Sequence, residues 1–143
     1  MEAPHFQSRW IVSPYNFVDE VRKQLILPEK VEICDVTLRD GEQQVGIVFR
    51  KDEKVKIAQA LDEIGVTIIE AGMPAVSQED FDAIKEISNL GLNAKIRAFT
   101  RARTDDVELA LKADVDSVGI ETVTSNILIE KAFGWTKEKV LEN

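Results

Sequence analysis

Short apolar runs alternate with longer amphipathic segments along most of the chain, from Val31 onward. The apolar runs are rich in Val and Ile, which favour strands, and the segments between them have the helical period. This alternation is typical of βα units with a parallel sheet. Four strands are predicted, over "VEICDVTL" (31–38), "VTIIEAG" (66–72), "AKIRAFT" (94–100) and "DSVGIETV" (116–123).

The amphipathic segments predict a helix after each strand. The first, "KDEKVKIAQALDEIG", places Ile57, Leu61 and Ile64 on one face, and its last residue, Gly65, suits a left-handed cap. The second, "SQEDFDAIKEISNLG", has a serine at its N-cap and acids in its first turn. Ser77 is the predicted N-cap, and the helix is expected to end at Gly91. The predicted buried face consists of Phe81, Ile84 and Ile87. Three further helices are predicted at Thr104–Lys112, from about Thr136 onward, and at Asn16–Leu25 in an N-terminal extension.

Two parallel-sheet architectures have this rhythm, the doubly wound sheet and the (β/α)8 barrel. The segment after the first strand, "RDGEQQVG", lacks the GxGxxG pattern of a dinucleotide site. It also fails as a P-loop, because Ile47 and Val48 replace the Lys and Ser/Thr that hold phosphate and magnesium. The predicted fold is therefore a partial (β/α)8 TIM barrel, which belongs to the α/β class. A whole barrel needs about 250 residues, so four units are close to half of one. We expect residues 1–30 to be an extension and 31–143 the N-terminal half of the barrel.

Composition and charge exclude several function classes. The chain has 143 residues and a formal net charge of −8, with no basic block, so nucleic acid and an anionic membrane surface are unfavourable partners. The single cysteine, Cys34, excludes a disulfide framework and a zinc finger. No apolar window is long enough for a membrane span, and no secretory signal is visible, which favours the cytoplasm.

The polar residues that follow the first apolar run are the strongest chemical candidates. Active-site residues of barrels lie at the carboxyl ends of the strands, and "LRDGEQQ" is predicted at such an end. Asp40 is a hard oxygen ligand for a divalent cation, while Arg39 can bind a carboxylate or stabilise an enolate oxygen. For both side chains to reach the mouth of the barrel, the strand must end near Leu38 and Gly41 must turn the chain. A surface ion pair in an ordinary turn is the alternative.

Other strand ends supply further candidates. Glu70 closes the second strand, where a carboxylate needs a cation or hydrogen-bond donors, either in an active site or in a salt bridge at the rim. Arg101 closes the third strand and can contact a substrate carboxylate or phosphate, or pair on the surface with Asp105 and Asp106. Hydroxyls at the fourth strand end can bind substrate oxygens or only cap a turn, and they belong to Thr122, Thr124 and Ser125. The sole histidine, His5, is upstream of the predicted barrel and is interpreted as incidental.

The segment "DVTLRDGEQQ" closely resembles the signature of the metal-dependent barrel family that includes 2-isopropylmalate, homocitrate and citramalate synthases and 3-hydroxy-3-methylglutaryl-CoA lyase. The later segments "IIEAGMPAVS", "FTRARTDDVELAL" and "SVGIETVTS" are similar to the synthase branch and occur in the same order. The resemblance covers Val31 to about Leu141.

The resemblance implies roles for individual residues. Asp40 would be a ligand of a catalytic Mg, Mn or Zn ion, and Arg39 would steady the 2-oxo acid or the enolate of the acyl-CoA. Glu70 would be an active-site carboxylate near both. Gln43 would line the site, and Arg101 and Thr124 would contact substrate. The family's His-x-His metal ligands and its principal acid/base carboxylate come from later strands and are not present in this sequence.

The resemblance implies a Claisen-type condensation of acyl-CoA, with acetyl-CoA favoured, and a 2-oxo acid. Two alternatives stay open. One is an aldol-type lyase, although the loop "EAGMPAVS" is more similar to the synthases. The other is a noncatalytic half-barrel that self-associates, because an open parallel sheet exposes two edges and an apolar face. A homodimer is therefore expected. The identity of the 2-oxo acid, the metal and any regulatory domain is left open by the sequence.

Overall fold

The computed structural model describes residues 13–142 and divides into two units, one up to Val31 and one from Glu32. The first unit contains a 3-10 segment, Pro14–Phe17, and a single helical turn, α1 (Asp19–Arg22). The predicted helix over 16–25 is therefore wrong in extent. Val18 has φ −72° and ψ 146°, an extended conformation that separates the two short elements.

The second unit is built on a parallel sheet of four strands in the order β1-β2-β3-β4. The strands are β1 (Cys34–Asp35), β2 (Ile68–Glu70), β3 (Lys95–Arg101) and β4 (Ser117–Glu121). Strands adjacent in sequence are neighbours in the sheet, with no reversal of order. That order confirms the α/β class and is the order within a (β/α)8 barrel.

A helix follows each strand, as the sequence predicts. These helices are α2 (Lys51–Glu63), α3 (Gln78–Ser88), α4 (Thr104–Lys112) and α5 (Lys137–Glu142). A 3-10 turn at Gly41–Gln43 and a short π-helix at Leu128–Ala132 lie in the connections. Ser77 caps α3, since its Oγ accepts from the backbone N–H of Asp80 at 3.0 Å. Gly65, directly after the C-cap of α2, has φ +84°, which confirms the predicted left-handed cap. Gly91 also has a positive φ, +70°, but lies two residues beyond Asn89, the C-cap of α3.

The hydrophobic core lies between one face of the sheet and the helices. Ile69 of β2 and Ile96 of β3 pack there against Ala58 of α2 and against Ile84 and Ile87 of α3. Side chains alternate along a strand, so the residues between these point to the other face, which we call the inner face. That face carries Glu70, Arg97 and Phe99.

Two predictions about these elements are wrong. The first strand is shorter than the predicted 31–38, because only Cys34 and Asp35 pair with β2 and the chain then turns. Ile64 does not belong to the buried face of α2, since it is 77% exposed, whereas Ile57 and Leu61 pack against the core. Ile64 follows the last residue of α2 at the helix C-cap, where the φ and ψ angles are no longer helical.

Candidate active site

A tight turn directly after β1 positions the arginine and the aspartate of "LRDG". The carbonyl oxygen of Val36 accepts from the backbone N–H groups of Arg39, Asp40 and Gly41, at 3.1, 2.8 and 3.2 Å. The turn therefore starts before Leu38, where the sequence predicted the strand end, and Gly41 closes it. Leu38 is fully buried in the core and anchors the turn to the sheet.

Arg39 lies against the side chains of three residues from two neighbouring strands and its own turn. Its Nε donates to Oε1 of Glu70 at 2.5 Å, and an Nη donates to Oδ1 of Asp40 at 3.0 Å. Its guanidinium carbon lies 4.6 Å from the centre of the Phe99 ring, within cation–π distance. The structure thus brings Arg39, Asp40 and Glu70 together, as the sequence predicted.

Exposure differs strongly within this cluster. The Glu70 side chain is 7% exposed and the Arg39 side chain 21%, so their ion pair is largely removed from water. The Asp40 side chain is 59% exposed. Glu70 therefore holds the Arg39 guanidinium on its buried side, while the exposed Asp40 carboxylate can still bind a cation from solvent.

The sequence reasoning missed the residues on the inner face beside Glu70. A Cβ atom at Gly119 of β4 would lie 3.4 Å from Cδ of Arg97 and 3.5 Å from Oε2 of Glu70, so the absence of a side chain there makes room for both. Nε of Arg97 is buried and has no hydrogen-bond partner within residues 13–142. The signal in the sequence was an arginine inside the apolar strand "KIRAFT", where an unpaired charge is costly.

Two other predicted site residues have no side-chain hydrogen bond to this cluster within the described chain, although the backbone N–H of Gln43 donates to the carbonyl oxygen of Asp40 at 3.0 Å. Gln43 is exposed in the 3-10 turn, and Thr124 is exposed after β4, as are Thr122 and Ser125. Within the described chain, neither Gln43 nor Thr124 donates a side-chain hydrogen bond to Glu70. Their contacts with substrate stay predictions.

The side chain of Arg101 forms an ion pair with Asp106 in the first turn of α4. Its Nε and an Nη donate to the two carboxylate oxygens of Asp106, both at 2.7 Å, and its backbone N–H donates to Oδ2 at 3.2 Å. These hydrogen bonds hold the pKa of the Asp106 carboxyl below its ordinary value, against the opposing effect of burial. The neighbouring Asp105 pairs instead with Arg103. A substrate role for Arg101 stays a prediction.

A complete divalent-metal centre does not fit the donor set of the described residues. Asp40 offers one exposed carboxylate, but residues 13–142 contain no group of three or more His, Cys, Asp or Glu side chains close enough to hold an ion. Several oxygen ligands are normally needed for Mg²⁺. His5, the only histidine, lies outside the described residues.

Comparison with known proteins identifies the family. The HMGL-like family model matches residues 30–143. The chain belongs to the HMGL-like family. The four βα units described above are accordingly part of the TIM barrel of that family, as predicted.

Individual relatives within the HMGL-like family are named as synthases. The chain is 40% identical over 133 residues to a homocitrate synthase of Methanothermobacter thermautotrophicus, a match that covers 93% of this chain and 33% of the relative. It is 44% identical over 113 residues to 2-isopropylmalate synthase 2 of Caldanaerobacter subterraneus, covering 79% and 29%. It is 46% identical over 114 residues to a provisionally named (R)-citramalate synthase of Archaeoglobus fulgidus, covering 79% and 23%.

The chain spans a third or less of the length of these three relatives. No helix among residues 13–142 is long and apolar enough to cross a membrane.

Proposed function

We propose that this chain supplies the 2-oxo-acid-binding half of a barrel that condenses an acyl-CoA with a 2-oxo acid. The observation that carries the proposal is the Arg39 guanidinium, fixed at the carboxyl ends of β1 and β2 by Glu70 and adjoining the exposed carboxylate of Asp40. The synthase names of the three relatives support the reaction class.

The arginine can act on the anionic oxygens of such a reaction. A guanidinium has five N–H donors, and the contacts with Glu70 and Asp40 occupy only one N–H each. The remaining donors suit a carboxylate of the 2-oxo acid or the oxygen on which negative charge develops, either in the enolate or in the product alkoxide. Because Glu70 already holds the guanidinium, little reorganisation is needed when that charge forms.

Further roles are proposed for the remaining predicted residues. Asp40 contributes one ligand to a Mg, Mn or Zn ion, and the other ligands come from outside the described residues. Gln43, Arg101 and Thr124 line the substrate site, with acetyl-CoA as the favoured acyl donor. For Arg101 this requires that part of its guanidinium stays accessible while it holds Asp106, which its 56% exposed side chain permits. A cytoplasmic location belongs to the same proposal.

The condensation is favoured over the aldol-type cleavage by the names of the relatives, which are synthases in all three comparisons. The Arg39 and Glu70 geometry would serve either direction of bond change. Specificity in barrels resides in the loops, so the arginine pair by itself does not select between them.

Calorimetric titration of the purified chain with pyruvate, 2-oxoisovalerate and 2-oxoglutarate tests the proposed binding. We expect at least one of these acids to bind, and Arg39→Gln to weaken that binding at least about tenfold, since hydrogen bonds to a charged group contribute about 1.5–3 kcal/mol. Arg103→Gln is the matched control, because Arg103 is exposed and, among residues 13–142, forms its ion pair with Asp105 alone. A folded chain that binds none of the three, or equal affinity in Arg39→Gln, would contradict the proposal.

A further inference from the structure

A buried lysine connects the site turn to two helices. Lys54 is the fourth residue of α2 and is only 3% exposed, and its ammonium group pairs with two carboxylates. Its Nζ lies 2.7 Å from Oε2 of Glu42 and 2.5 Å from Oδ1 of Asp80. Glu42 belongs to the 3-10 turn two residues after Asp40, and Asp80 belongs to the first turn of α3.

Both carboxylates are also oriented through their second oxygens. Oε1 of Glu42 accepts from the backbone N–H of Phe49 at 2.9 Å. Oδ2 of Asp80 accepts from the hydroxyl of Ser77 at 2.6 Å. Each oxygen therefore has a donor, which is the condition under which a buried ionic cluster is stable.

The lysine remains charged at neutral pH. Burial alone would lower the pKa of Lys54, but hydrogen bonds to Asp80 and Glu42 outweigh it, and the pKa lies above its ordinary value of 10.5. A raised pKa means that the stabilisation contributed by the charged lysine is present at neutral pH and is lost as the pH rises above about 10.5. The ion pairs of Lys54 with Glu42 and Asp80 are therefore present at neutral pH.

The cluster holds the two connections that carry the site. Glu42 fixes the connection from β1, which contains Arg39 and Asp40, and Asp80 fixes the end of the connection from β2, which starts at Glu70. We propose that Lys54 is a positioning residue: its ion pairs with Glu42 and Asp80 hold the two connections so that Nε of Arg39 meets the Glu70 carboxylate. The importance of this positioning for catalysis rests on the proposed function. The effect of Lys54 on the position of Arg39 does not depend on that function.

Nitrogen-15 NMR of the arginine Nε–H groups tests the inference in the intact chain. The Arg39 signal is assigned by its loss in Arg39→Lys. We expect Glu42→Gln to shift this signal towards that of a free arginine and to speed its exchange with water at least about tenfold, because the turn is released locally. Glu42→Gln keeps the side-chain shape and an acceptor for Phe49.

Glu86→Gln is the matched control. It breaks the ion pair of Lys51 with Glu86, which also joins α2 and α3 at 2.8 Å but does not touch the site turn. We expect an unchanged Arg39 signal in this variant. Asp80→Asn replaces Glu42→Gln where the latter does not fold, and it is expected to shift the signal in the same direction.

An Arg39 signal that is equally unaffected by both Glu→Gln changes would overturn the positioning role and leave the cluster a purely structural feature. The calorimetric titration of the unaltered chain is read separately. If that chain binds no 2-oxo acid while the signal still moves in Glu42→Gln, the proposed function fails and the positioning role stands. If the unaltered chain binds a 2-oxo acid but the Arg39 signal does not move in Glu42→Gln, the positioning role fails and the proposed function stands.

Discussion

At the scale of single residues, the ion pair between Arg39 and Glu70 is held where water is scarce, and such pairs are stable only when hydrogen bonding is nearly complete. Phe99 contributes the face of its ring to the same guanidinium. Arg97 is different, because its buried Nε lacks an acceptor within residues 13–142. One N–H donor on the inner face beside Glu70 is therefore left without an acceptor in the described residues.

Asp106 gives a pH-dependent prediction at this scale. Its pKa is lowered by Arg101, so its contribution to the free energy of unfolding is complete above the ordinary value of 3.8 and is lost as the pH falls below it. Asp106→Asn removes this contribution at every pH. We therefore expect the unmodified chain to be the more stable at pH 7, with the difference shrinking below about pH 4.

Urea unfolding at a series of pH values measures this difference. Asp105→Asn is the control, because Asp105 is 61% exposed and its pair with Arg103 is screened by water, so a smaller change is expected. A stability difference for Asp106→Asn that is the same at pH 7 and pH 3 would show that the ionised carboxylate is not what stabilises the start of α4.

The sequence was sufficient to predict that Arg39, Asp40 and Glu70 lie together, because each follows an apolar run and the first two lie in one motif, while their roles stay predictions. It was insufficient for Arg97 and Gly119, which are distant in sequence from Glu70. Their proximity depends on the register in which Glu70 is opposite Arg97 and Phe99 is opposite Gly119. Register is a property of the assembled sheet, so no local pattern reports it.

At the scale of elements, the connection from β2 to α3 depends on one glycine. Gly72 has φ +139°, a conformation that residues with a side chain rarely adopt. A Cβ atom there would also lie 3.3 Å from Cδ1 of Ile84, which is fully buried in the core. Backbone conformation and packing against α3 therefore both require glycine at this position.

Gly72→Ala is expected to lower the free energy of unfolding by about 2–4 kcal/mol, the sum of backbone strain and overpacking. Gly91→Ala separates the two causes, since Gly91 has φ +70° but nothing within 4 Å of the added Cβ. Only the backbone cost of about 1 kcal/mol is expected there. Equal losses in the two variants, measured by chemical unfolding, would rule out the contact with Ile84 as a cause.

Helices were more predictable than strands. The predicted bounds of α4 and the predicted N-cap of α3, Ser77, are those of the structure, because helix periodicity and caps are local signals. The C-terminal end of α3 was placed too late, since its C-cap is Asn89 and not Gly91. The length of β1 was overestimated because its apolar residues favour an extended conformation. A residue belongs to a strand only where it also pairs with a neighbouring strand. β1 is an edge strand beside the three-residue β2, so few of its residues have a partner.

At the scale of the whole molecule, the sheet of the second unit ends at β1 and β4, and apolar side chains are exposed at and beyond β4. Ile120 of β4 is 62% exposed, and Ile127 is 73% exposed. Monomeric proteins seldom leave such a sheet edge uncovered. The barrel class was predictable from the βα rhythm, but the surface that covers this edge was not.

We propose that the purified chain self-associates through this edge, as expected from the open sheet. Sedimentation velocity at micromolar concentration is expected to show a dimer, and Ile120→Lys to shift it towards monomer. Ile64→Lys adds the same charge at an exposed apolar residue at the end of α2 and is expected to leave the dimer unchanged. A well-folded monomer of the unaltered chain would contradict the proposal.

The most direct test of the central claim is a chimera. The aligned 133 residues of this chain replace the matching third of the Methanothermobacter homocitrate synthase, and release of CoA from acetyl-CoA and a 2-oxo acid is followed with a thiol reagent. We predict CoA release that is lost in the chimera with Asp40→Ala and retained with Asp52→Ala, an exposed aspartate on α2. A folded chimera without CoA release, or one in which Asp40→Ala is as active as the unaltered chimera, would contradict the claim that this chain carries half of a condensing site.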